Sequence, residues 1–219
     1  MREGMRSATR LQPERRQNIV YKRIADCHNA DNRFFSHSLA MVAYDRKDKT
    51  SFTKWIGLKK PAVTHKKNFV IAIIVTLAVT AAMSPILDPM FPDDVQLANA
   101  RFAGQGIKAF IPVIIFAFFA TALPEELFFR GFLGRRLINK LGFYIGNTIQ
   151  AVLFGLLHGA TLFPALGIAT PLLVIAFTAA LGWLMGYVSE KADGSILPNW
   201  CLHGIANLYA GIIIMFELL

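Results

Sequence analysis

Six polar side chains of the kinds used in hydrolysis interrupt the apolar second half of this sequence. They fall in three short motifs, namely Glu125, Glu126 and Arg130 in PEELFFR, His158 in FGLLH, and His203 with Asn207 in HGIAN. Ionisable groups are costly inside apolar segments and mark functional sites by default. Hydrolysis of a peptide bond needs a base that activates water and donors that stabilise an oxyanion, and these residue types supply both.

Helical spacing separates the roles of the two adjacent glutamates. Glu126 and Arg130 are four residues apart, so they lie on one helix face and can form an ion pair. Glu125 points roughly 100° away from Glu126 on the same helix. The arginine therefore leaves one carboxylate available for chemistry. Pro124 precedes both glutamates and lacks an amide hydrogen, so we expect a kink there.

Two kinds of chemistry fit this set of residues, and the sequence leaves both open. In the first, buried Glu125 is the base that activates water, because burial makes a carboxylate a stronger base. A histidine and the Asn207 amide then donate to the oxyanion. In the second, Glu125, His158 and His203 form a His₂Glu set that can hold a catalytic zinc with one open position. The HExxH helix of many zinc proteases is absent.

The composition indicates that membrane-spanning helices position these motifs. Hydrophobic residues make up 54% of the 219 residues and charged residues only 17%, against about 25% charged in soluble domains. Apolar stretches of about 20 residues can cross a bilayer as helices. We therefore predict an all-α, polytopic bundle of about five transmembrane helices, at roughly 68–87, 109–137, 147–165, 171–189 and 196–216. The stretches lack the alternation of a membrane β-barrel.

The charge distribution divides the chain into two parts. Residues 1–67 hold 16 Lys/Arg and 6 Asp/Glu, whereas residues 68–219 hold 7 and 8. We expect the first part to be a basic extension, either poorly ordered or lying on anionic lipid, and residues 1–60 to be dispensable for chemistry. The second part is the predicted transmembrane domain, with its motif core at 109–211. No nucleic-acid-binding signature accompanies the positive charge. Cys27, His28 and His37 lack the spacing of a metal site.

Lysine and arginine also predict the orientation of the helices. Cytoplasmic loops are enriched in these residues. This rule places residues 1–67, 135–140 and 190–195 on the cytoplasmic side of a bacterial or other plasma membrane. Counting the helix rise from those loops places Glu125 and both histidines about 10–16 Å from the cytoplasmic side. We therefore expect the three motifs to converge in the inner half of the bilayer.

The three motifs, in this order on successive apolar segments, resemble the CAAX prenyl endopeptidase type 2 and bacteriocin-processing (CPBP) family of intramembrane proteases. The resemblance implies that Glu125 and His158 activate water, and that His203 and Asn207 stabilise the oxyanion. It also implies that Glu126 and Arg130 support the site. Members of this family are described both as metalloproteases and as glutamate proteases. Relatives remove the last three residues of prenylated proteins, process peptides or confer bacteriocin self-immunity.

Two other functions use the same residues. A membrane immunity or scaffold protein would keep the fold without relevant turnover. A proton-coupled transporter would use the glutamates and histidines as a relay, although no inverted repeat is visible. A protease needs Glu125, His158 and His203 around one site, whereas a relay would string them across the membrane. As partners we expect membrane lipid and a peptide or membrane-anchored protein substrate, and no nucleic acid.

Overall fold

Helices and the turns between them account for the residues that the computed structural model describes, 51–91 and 99–218. The longer elements, numbered in chain order, are α1 (Phe52–Trp55), α2 (Lys66–Leu87), α3 (Gly106–Leu141), α4 (Phe143–Ala160), α5 (Phe163–Leu166), α6 (Ala169–Lys191) and α7 (Leu197–Phe216). Short 3₁₀ turns at Asp88–Met90 and Ala100–Phe102 lie between α2 and α3. The predicted all-helical class is confirmed.

Four helices of the described chain, α2, α3, α6 and α7, are long and apolar enough to cross a membrane. The predicted third span corresponds to α4, an 18-residue helix about 27 Å long that is not among these four. It begins at Phe143 and ends at Ala160, rather than running over 147–165. The earlier start follows from Gly142, whose φ of +81° ends α3 and turns the chain directly into α4.

Helix α3 accommodates Pro124 by changing its winding. Two π-helical segments, Phe116–Ala122 and Leu127–Gly134, flank the short α-helical stretch that contains Pro124 and both glutamates. The hydroxyl of Thr121 donates to the carbonyls of Phe116 and Ala117, at 3.0 Å each. Such π-helical turns shift the faces that later residues present and recur at functional sites. The helix therefore continues past the proline to Leu141.

Glycines allow α4 and α6 to approach each other closely. A Cβ atom built on Gly155 would lie 2.5 Å from the Ile175 carbonyl oxygen, and one on Gly159 would lie 2.7 Å from the Pro171 carbonyl oxygen. Small residues at such contacts are a common device of helix packing in membranes. Gln150 of α4 also reaches the Gly182 carbonyl of α6, at 2.9 Å. This pair of helices forms one wall of the bundle.

One end of the bundle, which we call the basic end, gathers residues 51–67, 131–143 and 188–197. It carries nine basic residues, Lys54, Lys59, Lys60, Lys66, Lys67, Arg135, Arg136, Lys140 and Lys191, and two acidic ones, Glu190 and Asp193. Residues 51–62 pack against the helices there, through a fully buried Ile56 and several hydrogen bonds. The remainder of the predicted extension, with Cys27, His28 and His37, lies outside the described residues.

The close contact between α4 and α6 generates a stability prediction. Gly155→Ala should lower the free energy of unfolding by about 1–3 kcal/mol, because the new methyl group meets backbone that cannot move aside. Thermal unfolding of the purified protein in detergent measures this loss. Gly182→Ala is the matched control on the facing helix, since its Cβ would first meet the Phe154 ring at 3.1 Å. Equal stability of the two variants would contradict this account of the packing.

Candidate active site

The two neighbouring glutamates occupy different surroundings. Glu126 is completely buried, and its Oε1 accepts a hydrogen bond from Arg130 Nη1 at 3.0 Å. The same Oε1 atom lies 3.0 Å from His203 Nδ1 on α7. The ion pair expected from the spacing of four residues is therefore present. It also joins α3 to α7 through the imidazole, which the spacing did not reveal.

Arg130 is held on three sides. Besides Glu126, its Nη2 lies 3.5 Å from the sulfur of Met185 on α6. Its guanidinium stands 4.4 Å from the centroid of the Phe154 ring on α4, a distance typical of a cation–π contact. Sequence reasoning missed Met185, because no motif or spacing relates it to the arginine. The guanidinium thus contacts side chains from two further helices of the bundle.

His158 is oriented by the backbone of its own helix. Its Nδ1 lies 2.9 Å from the Phe154 carbonyl oxygen. A carbonyl can only accept a hydrogen bond, so Nδ1 carries the hydrogen and Nε2 of the neutral ring is a free acceptor. Nε2 faces Glu125, with 3.5 Å between it and Oε2. The Phe154 ring, with its centroid 4.3 Å from that of the imidazole, packs against the histidine.

Glu125 faces both histidines instead of the arginine. Its Oε2 lies 3.5 Å from His158 Nε2 and 3.8 Å from His203 Nε2, and this oxygen has no hydrogen-bond partner among the described residues. Both separations exceed ordinary hydrogen-bond lengths. Oε2 is itself buried, so a water molecule reaches it and a ring nitrogen only after a small movement of these side chains, as is common before substrate binds. The side chain of Glu125 is 15% exposed, so the site is shielded without being closed.

Asn207 is anchored by a residue that sequence reasoning missed. Its Nδ2 donates to the hydroxyl oxygen of Thr121 at 2.9 Å, while the Thr121 hydroxyl donates to the backbone of its own helix. Thr121 precedes Glu125 by four residues, and that spacing was a readable signal for a shared face. One hydrogen of the Asn207 amide remains available for a substrate.

The three residues lie at different distances along their helices from the basic end. Glu125 lies ten residues before Arg135, about 15 Å along α3, and His203 lies six residues into α7, about 9 Å from its start. His158 lies fifteen residues into α4, about 22 Å from its start. The expected depth for His158 was too small, because α4 begins four residues earlier than predicted.

A zinc site of the His₂Glu kind is not preformed among the described residues. Across residues 51–91 and 99–218, no group of three or more His, Cys, Asp or Glu side chains is arranged to hold a metal ion. His203 uses Nδ1 on Glu126 and His158 uses Nδ1 on Phe154, so the Nε2 atoms of both rings are free to face Glu125.

A polar cavity of about 200 Å³ lies behind Arg130, toward the basic end. It is lined by side chains that include Arg130, Gln150, Ser189 and Asp193. Glu125 and the two histidines are not part of its wall. Phe129 and Arg130 belong to that wall, so the cavity borders the structural support of the site rather than the candidate catalytic groups.

Comparison with known proteins identifies the segment that carries the site. Residues 107–209 match the family model described as Rce1-like: Type II CAAX prenyl endopeptidase Rce1-like. This segment contains all six polar residues of the three motifs, so the resemblance noted from the motifs is confirmed. Comparison with curated proteins and with solved structures gave no match.

The buried ion pair predicts a specific loss of stability. Arg130→Ala should lower the free energy of unfolding by about 3–5 kcal/mol, because it leaves the Glu126 carboxylate buried and uncompensated. The yield and thermal unfolding of the purified variant measure this effect. Combining Glu126→Gln with Arg130→Met removes both charges and should recover most of the stability. An Arg130→Ala variant as stable as the wild type would show that Glu126 does not need the arginine.

Proposed function

We propose that this chain, which belongs to the Rce1-like family over residues 107–209, is an intramembrane endopeptidase. It hydrolyses peptide bonds of membrane-associated or peptide substrates with a water molecule activated by Glu125 and His158. One observation carries the proposal: Glu125 Oε2 lies within 3.8 Å of Nε2 of both histidines. Three helices supply these groups, and two of the three are long and apolar enough to cross a membrane.

Glu125 and His158 can activate water because the carboxylate and the Nε2 atom both have lone pairs that accept hydrogen bonds. The Glu125 carboxylate and the bare Nε2 of His158 both accept hydrogen bonds, so they orient a water molecule and draw a proton from it as its oxygen attacks the carbonyl carbon. The attack converts the carbonyl into a tetrahedral intermediate with a negatively charged oxygen. When the carbon–nitrogen bond breaks, the abstracted proton passes to the departing amine. The products are a carboxylic acid and an amine.

The oxyanion is stabilised from α7. Asn207 Nδ2 has a hydrogen to donate, and its anchorage on Thr121 fixes the direction of that amide. His203 donates through Nε2 only as the doubly protonated imidazolium, because its Nδ1 hydrogen already points to Glu126. Preorganised donors of this kind, in a site shielded from water, contribute strongly to the rate.

The charges of the site balance when His203 is protonated. Glu125 and Glu126 contribute two negative charges, whereas Arg130 and the imidazolium contribute two positive ones. Buried charges are tolerated when they are paired in this way. Glu126 and Arg130 thus support the reaction by holding His203 in place, without contacting the substrate.

The same geometry weighs against the alternative functions. A proton relay would distribute its carboxylates and imidazoles across the membrane, but these groups form one cluster around Glu125. An immunity or scaffold protein would have no use for a carboxylate oxygen that faces two imidazoles and lacks a hydrogen-bond partner among the described residues. Hydrolysis uses all of these features. The substrate class is a peptide or a membrane-anchored protein.

The orientation follows from the basic end. Its nine basic and two acidic residues satisfy the rule that cytoplasmic flanks of membrane helices are rich in Lys and Arg. The described part of the opposite end carries two basic residues, Arg101 and Lys108, and two acidic residues, Asp88 and Glu217. The proposal therefore places the basic end and residues 51–67 in the cytoplasm of a bacterial or other plasma membrane.

The activity of two variants tests the catalytic assignment. Glu125→Gln and His158→Ala should each lower peptide cleavage by about 10²–10⁴-fold, because each removes a group that accepts a proton from water. Comparing membrane peptides from cells that carry the wild type or Glu125→Gln identifies substrates. Cleavage of such a peptide by purified proteins then gives the rates. Turnover at the wild-type rate by either folded variant would refute the assignment.

A chelator distinguishes side-chain catalysis from metal catalysis in the same assay. Treatment with a zinc chelator should leave the wild-type rate unchanged if Glu125 and His158 act on water directly. Loss of the rate on chelation, with recovery on adding Zn²⁺ but not Mg²⁺, would support the His₂Glu zinc alternative instead.

Thiol labelling tests the orientation. In a chain lacking Cys27 and Cys201, Lys140→Cys at the basic end should react with a membrane-impermeant reagent only in inside-out vesicles. Gln105→Cys at the opposite end should react only in right-side-out vesicles. Both positions are exposed, so access to the reagent is limited by the membrane and not by packing. The reverse pattern would overturn the proposed orientation.

A further inference from the structure

We propose that residues 54–62, here called the strap, position the two helices that carry the catalytic groups and are required for turnover. The strap lies outside the segment that matches the family model. The inference rests on the proposed function, and it replaces the expectation that residues 1–60 are dispensable for chemistry. Its support comes from contacts with α3 on one side and with the entry to α7 on the other.

The strap is seated on α3 directly beside Arg130. Ile56 is completely buried, and a Cβ atom on Gly131, the residue after Arg130, would collide with the Ile56 carbonyl oxygen. One turn further along α3, Arg135 Nη1 donates to the carbonyls of Trp55 and Lys54, at 2.7 and 3.2 Å. A guanidinium that donates to the main chain fixes the path of the backbone and not merely a side chain.

The strap also holds the turn that leads into α7. The amide of Ile196 donates to the Gly57 carbonyl at 3.0 Å, and the hydroxyl of Ser195 donates to the Lys59 carbonyl at 2.6 Å. Ser195 is itself completely buried. These two bonds, both to strap main chain, determine where the first turn of α7 begins.

An ion pair adds to this contact. Lys59 Nζ lies 2.7 Å from Asp193 Oδ2, and this hydrogen bond from the lysine lowers the pKa of Asp193. Because the carboxyl is largely exposed, the pair is worth little by itself. It nevertheless lies beside the main-chain hydrogen bonds of Gly57 and Lys59. Several contacts along the strap therefore hold it in place.

The contact of the strap with α3 and its contact with the turn before α7 both affect the position of Glu126 relative to His203. Arg130 holds Glu126 from α3, and Glu126 holds His203 from α7. Gly131 is adjacent to Arg130, and Ile196 precedes His203 by two helical turns. By joining Gly131 to Ile196, the strap fixes the distance between these helices immediately below the Glu126–His203 contact. Displacements of about 1 Å at such a site can reduce the rate about 10²-fold.

Gly57 provides a sharp way to disturb the strap. Its φ is +90°, and a Cβ atom there would lie 2.7 Å from the Gly194 carbonyl oxygen. Gly142 is a matched control at the same end of the bundle, because its φ is +81° and a Cβ atom there would have nothing within 4 Å. Both substitutions place an alanine at positive φ, but only Gly57→Ala brings the new Cβ atom against the chain that the strap contacts.

The test measures kcat, KM and the pH dependence of kcat for both variants in the full chain, at a temperature where thermal unfolding shows each to be folded. Gly57→Ala should lower kcat about 10–100-fold with little change in KM. It should also alter the pH profile, which loss of folded protein would not do. Trypsin should cleave faster after Lys59 in this variant, as resolved by mass spectrometry. Gly142→Ala should leave cleavage after Lys59 at the wild-type rate and should lower kcat less than Gly57→Ala does.

A pair of truncations gives an independent result. Removing residues 1–50 should leave kcat unchanged, whereas removing residues 1–62 should lower it as Gly57→Ala does. An unchanged kcat in either Gly57→Ala or the inserted 1–62 deletion would overturn the proposal. If the longer deletion fails to insert, the point variant decides. A wild-type chain no more active than Glu125→Gln would instead refute the proposed function, and that outcome is distinguishable because no strap variant enters it.

Discussion

The buried contact between Arg130, Glu126 and His203 is the constraint around which this structure is arranged. A guanidinium and a carboxylate inside an apolar bundle are tolerated only as a pair. Removing one partner leaves a buried, unpaired charge, and this destabilises the fold far more than the intact pair stabilises it. Each neighbour of the contact can be understood from that cost. Phe154 covers the guanidinium with its ring, and Met185 offers it a polarisable sulfur. Side chains from four helices, α3, α4, α6 and α7, thus hold one charge pair in place.

This buried contact gives Glu125 and Glu126, which are adjacent in sequence, different surroundings and different chemistry. Glu126 Oε1 contacts both the arginine and the histidine, which is why the proposal gives it a supporting role. Glu125, turned away from Arg130, keeps an oxygen free in front of two imidazoles. The same residue type is therefore a support at one position and the proposed base at the next. The backbone of α4 completes the division, because the Phe154 carbonyl selects the tautomer of His158 that presents a bare nitrogen to Glu125.

The sequence predicts the parts of this arrangement that depend on helical periodicity. A spacing of four residues is sufficient to pair Glu126 with Arg130, and hydropathy is sufficient to place the motifs on separate helices. Periodicity cannot reveal contacts between elements that are distant in sequence, so Met185 and Ile56 were not identifiable as neighbours of the site. Helix ends were also misplaced where one residue decides them, as Gly142 does at the start of α4. Thr121 was within reach of the same spacing argument, since it lies four residues before Glu125.

The segment that carries the motifs and the strap meet two different physical requirements. The three motifs all lie within 107–209, the segment that matches the family model. The distance between the helices that carry them is a separate requirement, and apolar packing in lipid fixes it weakly because lipid tails compete for the same contacts. Main-chain hydrogen bonds at a helix end have no such competitor once they are buried away from water. Under the proposal, a short segment such as residues 54–62 can therefore set the distance between the helices more firmly than the apolar surfaces can, although it contributes no reacting group.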